Sequence, residues 1–163
     1  MDLFTRSHAV FSDCRLYRYR LERRWGEGVL GAFLMLNPST ADEFQNDPTI
    51  RRCIGFAKRE GWGGLVILNL FAFRATDPKD MERAPDPIGP DNDEYLNAAS
   101  FRVNGPLVAA WGAHKSAVDR GRYVAAFLRW PMLCLGTTAD GSPRHPLYVR
   151  ADTPLVPFNW PDR

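Results

Sequence analysis

Four polar clusters in this chain lie in the loops after apolar runs or at the helix start that follows one, positions at which side chains can meet a ligand. The first is Met35-Leu36-Asn37-Pro38-Ser39-Thr40-Ala41-Asp42. The Asn37 amide donates and accepts, so it can hold a water or the edge of a base. Pro38 closes the run, and Ser39 and Thr40 offer hydroxyls to an anion. A plain turn competes with this reading, because Asn and Pro are common turn residues. The second cluster is Asn46-Asp47-Pro48-Thr49-Ile50-Arg51-Arg52. Asp47 suits a helix N-cap and Pro48 the first helical position. If Ile50 faces the core, Arg51 and Arg52 leave the apolar stripe and can clamp a phosphate bidentately, or simply form a solvated face. Asp42 and Asp47 make a carboxylate pair only if the fold brings them together.

The third cluster, Asn69-Leu70-Phe71-Ala72-Phe73-Arg74, offers a second strand-end amide and two aromatic rings. Phe71 or Phe73 can stack on a flat heterocycle, although such rings more often fill a core. Trp111-Gly112 is a weaker signal, since a tryptophan at a strand end packs more often than it binds. The fourth cluster is the sharpest: Gly141-Ser142-Pro143-Arg144-His145-Pro146-Leu147-Tyr148. Two prolines stiffen a loop that carries Arg144 and His145. A neutral imidazole there donates to a developing anion, a charged one pairs with it, and a structural hydrogen bond is the bland alternative. The nucleophile elbow G-x-S-x-G, the P-loop and G-x-G-x-x-G are absent.

The elements that position these clusters follow from hydropathy patterning. Tyr17, Tyr19 and Leu21 alternate with Arg18, Arg20 and Glu22, which predicts a half-buried strand with its arginines outward. Residues 29–36 form an apolar run without alternation, as in a parallel strand covered on both faces. Leu65–Leu68, Leu107–Trp111 and Met132–Leu135 repeat that pattern. Between them, Ile50, Cys53, Ile54 and Ala57 mark a helix ending at Gly61. A proline-rich loop follows. Further helices are predicted after Asp91 or Asn92, and around Val118 to Leu128, where Gly121 is unfavourable. Strands alternating with helices predict a three-layer α/β/α sandwich around a mainly parallel four-stranded sheet, plus an N-terminal antiparallel strand. Ligands of such sheets bind outside the carboxyl ends of the strands. That rule selects residues 37–47, 69–76, 111–115 and 137–148.

Composition bounds the reading. The 163 residues are 45% hydrophobic and 25% charged, which predicts one globular domain over residues 1–163 with an extended proline-rich tail at 153–163. No apolar run approaches the length of a membrane span, and the N-terminus lacks an apolar signal core, so a cytoplasmic monomer is expected. A net charge of +2 neither demands nor excludes a nucleic-acid partner. Cys14, Cys53 and Cys134 lack C-x-x-C spacing and read as reduced thiols, and the three histidines are scattered, so no metal or cofactor is expected.

Taken in order, the four clusters and Ala110-Trp111-Gly112 resemble the bacterial and phage family called domain of unknown function 1643, over residues 14–150. The layout also resembles, more distantly, the uracil-DNA glycosylase superfamily. Leu36-Asn37-Pro38 is similar to its water-positioning motif, Leu68-Asn69-Leu70 to its base-reading strand end, Trp111-Gly112 to a later strand end, and His145-Pro146 to its His-Pro-Ser loop. Ser39 and Leu147 depart from the pattern, each standing where those enzymes have another residue. The resemblance implies an α/β/α fold with its pocket at the carboxyl edge of the sheet.

Three functional readings result. In the first, the pocket binds a nucleobase, a nucleotide or nucleic acid without catalysis, through Pro38, Ser39, Thr40, Asp42, Asp47, Arg51, Asn69, Phe71, Trp111 and Arg144. In the second, the protein is an N-glycosidic hydrolase. Asn37 positions water, since an amide is no general base at neutral pH. Asn69 pairs with the base edge, and His145 stabilises the leaving base. A duplex substrate then requires base flipping, with Leu147 or Tyr148 as a wedge. A non-catalytic interaction module is a third reading.

Overall fold

The computed structural model describes residues 6–161. The chain runs β1 (Arg6–Phe11), β2 (Arg18–Arg24), β3 (Leu30–Met35), α1 (Pro48–Arg59), β4 (Gly64–Asn69), α2 (Pro78–Arg83), α3 (Asn92–Arg102), β5 (Leu107–Ala109), α4 (Ala117–Leu128), β6 (Met132–Cys134), a 3-10 turn at Pro146–Tyr148, and β7 (Val156–Pro157). One mixed sheet collects the strands in the order β1-β2-β4-β3-β5-β6-β7. The four apolar runs are its parallel centre, β4-β3-β5-β6.

The sheet is wider than the sequence predicts: seven strands, where four parallel strands and one antiparallel strand were expected. Arg6–Phe11 pairs antiparallel with β2, which itself pairs antiparallel with β4. The proline-rich tail supplies β7 on the opposite edge, where a strand can hold a proline because its outer side needs no N–H donor. The proline-rich loop after β4 contains a short helix as well, with Asp77 capping the N–H of Lys79 at 2.9 Å and Pro78 in the first turn.

Side chains alternate between two apolar layers. Phe33, Met35, Leu65 and Ile67 pack with Ile50, Cys53, Ile54 and Ala57 of α1. Leu34, Val66, Leu68 and Ala109 pack with Met81, Leu96, Ala99 and Val124 of the other three helices. Gly121 is needed inside α4: a Cβ there would stand 2.8 Å from the Trp160 ring and 3.0 Å from the Trp111 ring. It lets those two indoles pack together, with centroids 5.6 Å apart.

Two features aim the site. From β3 the chain passes to α1 on one face; from β5, β3's other neighbour, it passes to α4 on the opposite face. The two connections diverge, and a crevice opens at the carboxyl ends of the strands. The second feature is an irregularity in β2. Val10 pairs with Arg20 but Phe11 pairs with Arg18, so Tyr19 is an extra residue opposite the β1 ladder. A bulge of this kind reverses the alternation beyond it. Arg18 thereby leaves the face of Arg20 and Glu22 and joins that of Leu21 and Arg23, buried instead of pointing to solvent as alternation predicts.

Candidate functional site at the carboxyl edge of the sheet

A cleft of about 590 Å³ opens at the carboxyl ends of β3, β4, β5 and β6. All four sequence-selected segments contribute to its lining, among them Asn37, Asn69, Trp111 and His145. Asp47 and Thr49 at the start of α1 and Arg18 from β2 complete one side. Asn37, Asn69 and His145 therefore line a single cleft, as their strand-end positions predict.

Asn69 is the last residue of β4 and is 1% exposed. Its main-chain carbonyl accepts from Asn92 Nδ2 at 3.0 Å. Neither its side-chain Oδ1 nor its Nδ2 has a partner. A buried polar atom without a partner costs about 1–3 kcal/mol. Such an amide, lining a cleft, suits a ligand that both donates and accepts.

Asn37 is half-buried and partly committed. Its Nδ2 donates to the carbonyls of Ala75 at 2.8 Å and Pro38 at 3.1 Å. That bond ties the end of β3 to the loop after β4 and leaves Oδ1 as the acceptor for a water or ligand.

His145 caps the turn at Pro146–Tyr148: its Nδ1 accepts from the Leu147 N–H at 3.2 Å. An accepting Nδ1 places the proton of the neutral ring on Nε2. Burial pushes the imidazole below its ordinary 6.5, against the opposing pull of the Asp47 charge. The shift favours the uncharged ring, which carries its proton on Nε2. The turn is fastened to α1 by Arg52, which donates to Pro146 O at 3.1 Å and to Val149 O.

Asp47 caps α1 as its sequence context predicts, accepting from the Ile50 N–H at 2.9 Å. Its charge also acts on Arg18. Burial pushes the Arg18 guanidinium down to about 10, which leaves it charged at neutral pH. Arg18 donates to Ala41 O at 2.8 Å, while its Nε has no partner. Trp111 lines the inner wall, packed against Phe158 and Trp160, with its Nε1 unpartnered. Arg144 stands exposed on the rim, its Nε on Thr137 O at 3.2 Å. Leu147 and Tyr148 are exposed and also line the cleft.

Five residues assigned to ligand contact from sequence lie elsewhere. Phe71 is buried in the core that includes side chains of α3 and α4, on the same side as Leu68 and Leu70, so the alternation of β4 does not continue to it. Pro38 is buried and does not line the cleft, and Thr40 lines a neighbouring trough instead. Asp42 is consumed by its own loop, accepting from the Phe44 and Gln45 N–H groups at 2.8 Å each. Arg51 is exposed and donates to Asn46 O at 3.1 Å. Arg18, Thr49, Thr76, His114 and Thr138 are cleft residues that sequence reasoning missed. Of these, Thr76, His114 and Thr138 fall inside the loop segments selected by strand order. Only the bulge brings Arg18 in.

All three cysteines are free, Cys14 exposed and the other two buried. Among the described residues no helix is long and apolar enough to cross a membrane, and no three His, Cys, Asp or Glu side chains gather to hold a metal ion. No curated protein and no solved structure matches the chain significantly. A family model does, over residues 18–147, which span β2 through the His145 turn and therefore every strand-end segment of the cleft. The chain belongs to the family described as Protein of unknown function (DUF1643).

Proposed function

We propose that the cleft binds a nucleobase-containing ligand, either a nucleotide or a nucleic acid. One observation carries this reading: the Asn69 amide, buried in the cleft lining with donor and acceptor both unpartnered. A base edge presents an adjacent donor and acceptor, and an amide matches that pair bidentately. Trp111 supplies an aromatic wall, and Asn37 Oδ1 and His145 Nε2–H supply an acceptor and a donor. The order of the strand-end motifs, similar to that of uracil-DNA glycosylases, supports the same ligand class.

The test is calorimetric titration with the common nucleobases, nucleosides and nucleotides, for the wild type and Asn69→Leu. Binding of at least one member, weakened about tenfold or more by Asn69→Leu, is the expected result, corresponding to the 1–3 kcal/mol of one base contact. A confirmed nucleobase ligand whose affinity ignores Asn69→Leu removes Asn69 from the site.

A second reading, N-glycosidic hydrolysis, draws on the state of His145. A neutral ring with Nε2–H free is a preorganised donor for charge developing on a leaving base. Asn37 Oδ1 would orient the attacking water. Release of free base from nucleosides or uracil-containing DNA, slowed about 10²–10³-fold by His145→Ala, would establish it. Binding without base release would leave the first reading.

A further inference from the structure

A shallower trough of about 420 Å³ adjoins the main cleft, and the two share Ser39, Ala75 and Thr76 in their walls. Arg15, Thr40 and Arg74 form much of the rest. Both arginines are held over one ring: the guanidinium carbon of Arg15 stands 4.0 Å from the Phe11 centroid, and that of Arg74 stands 4.7 Å away. Stacking on an aromatic face fixes a guanidinium while leaving its edge N–H donors free. The two arginines are also tied through the backbone, since Arg74 Nη1 donates to Arg15 O at 3.1 Å.

The placement of these charges is unusual in three respects. Arg15 has φ +61°, a left-handed conformation that non-glycine residues seldom adopt. It is held there by its own N–H on Ser12 O at 2.9 Å. Arg74 has a buried Nε without a partner. Among the described residues neither arginine has a carboxylate within salt-bridge distance. Asp42 faces Arg15 more distantly, its oxygen already taken by two main-chain N–H groups. Arg74 in turn repels the buried Arg18. Positive charge therefore runs from the surface trough, through Arg74, to the wall of the main cleft. Hydroxyls of Ser39 and Thr76, 3.4 Å apart, stand at the junction.

We infer that this trough receives the phosphate of the ligand whose base occupies the main cleft, so that the substrate class is a phosphorylated nucleoside unit rather than a free base or nucleoside. The inference rests on the base-binding reading above. Two fixed guanidinium groups and three neighbouring hydroxyls, those of Ser39, Thr40 and Thr76, match a group with several terminal oxygens. The shared wall makes base site and phosphate site parts of one continuous groove. A free nucleotide and a nucleic-acid strand offer the same phosphate, and the experiment separates them.

The probes are the four common ribonucleosides, their 5′-monophosphates, inorganic phosphate and a short single-stranded oligonucleotide, titrated calorimetrically at low salt. The proteins are the wild type, Arg15→Asn and Arg74→Gln. Asn tolerates the left-handed conformation, so Arg15→Asn removes the charge without new strain. Unchanged melting temperatures verify folding, and Arg15→Asn stands alone if Arg74→Gln loosens its loop. A monophosphate should bind about tenfold or more tightly than its nucleoside, the scale of a charge-assisted contact. That preference should largely vanish in Arg15→Asn. An oligonucleotide that outcompetes the monophosphate identifies a strand as the source; one that does not identifies the free nucleotide. Equal affinity for nucleoside and monophosphate overturns the phosphate site and leaves the base site standing. Arg15-dependent binding of inorganic phosphate, with no nucleoside or nucleotide bound, supports the anion site and overturns the base site. No binding by any probe overturns both.

Discussion

The side-chain amide of Asn92 reaches from the first turn of α3 to the main-chain carbonyl of Asn69, 3.0 Å away in the buried core. The same nitrogen reaches Leu70 O at 3.2 Å, which also accepts from Arg120 Nε at 2.8 Å. Where β4 stops pairing, these two side chains take over its carbonyls. They hold the backbone that carries the unpartnered Asn69 amide.

Asn92→Ala should accordingly destabilise the fold by about 1–3 kcal/mol, the cost of leaving a buried acceptor unmade. Urea unfolding measures it. A loss below a few tenths of a kcal/mol would show that β4's end is held by Arg120 alone.

Asn69→Leu should act in the opposite direction. Its amide makes no hydrogen bond to another protein group. An apolar side chain of similar size there removes two unpaired polar atoms. We expect stability to rise by about 1–3 kcal/mol while nucleobase affinity falls. A destabilised Asn69→Leu would mean that the amide has a structural partner, such as an ordered water.

Asp47 combines two roles that two substitutions separate. Asp47→Ala should cost about 0.5–2 kcal/mol through loss of the α1 cap. Asp47→Asn keeps a good cap and should leave stability nearly unchanged. Both remove the charge that opposes desolvation of His145, so the His145 pKa should fall further in each. NMR titration of the imidazole follows it; a rise in that pKa would exclude the electrostatic role.

His145 also predicts a pH dependence of stability. Burial holds its folded pKa below the ordinary 6.5. As pH falls through 6.5, the unfolded chain binds a proton that the folded ring refuses. Stability is therefore full above that value, declines as pH falls toward the folded pKa, and declines no further on this account below it. His145→Asn keeps a capping acceptor for Leu147 N–H but cannot titrate. The difference in unfolding free energy between wild type and His145→Asn should shift against the wild type on going from pH 8 to pH 5. A difference independent of pH would place the ring in a solvent-like setting.

Much of the molecule is written locally. The four buried strands, the helix opened by Asp47 and Pro48, and the cleft at the carboxyl edge all follow from apolar runs, cap chemistry and strand–helix alternation. Each of these depends on residues a few positions apart. Asn37 and Asn69 could be singled out because each stands where an apolar run stops, and His145 because Pro143 and Pro146 stiffen the loop that carries it. What the sequence could not disclose depends on partners far along the chain. Alternation assigns Arg18 to solvent, and only the one-residue slip against β1 turns it into the cleft. Phe71 has the composition of a stacking ring and the surroundings of a core residue, a choice made by α3 and α4 packing over it. Val156–Pro157 becomes a strand because β6 presents an open edge. The Asn69 amide stands unpaired because no neighbouring element brings it a partner. Register, edge exposure and polar satisfaction are properties of pairs of distant segments, and the tertiary structure alone decides them.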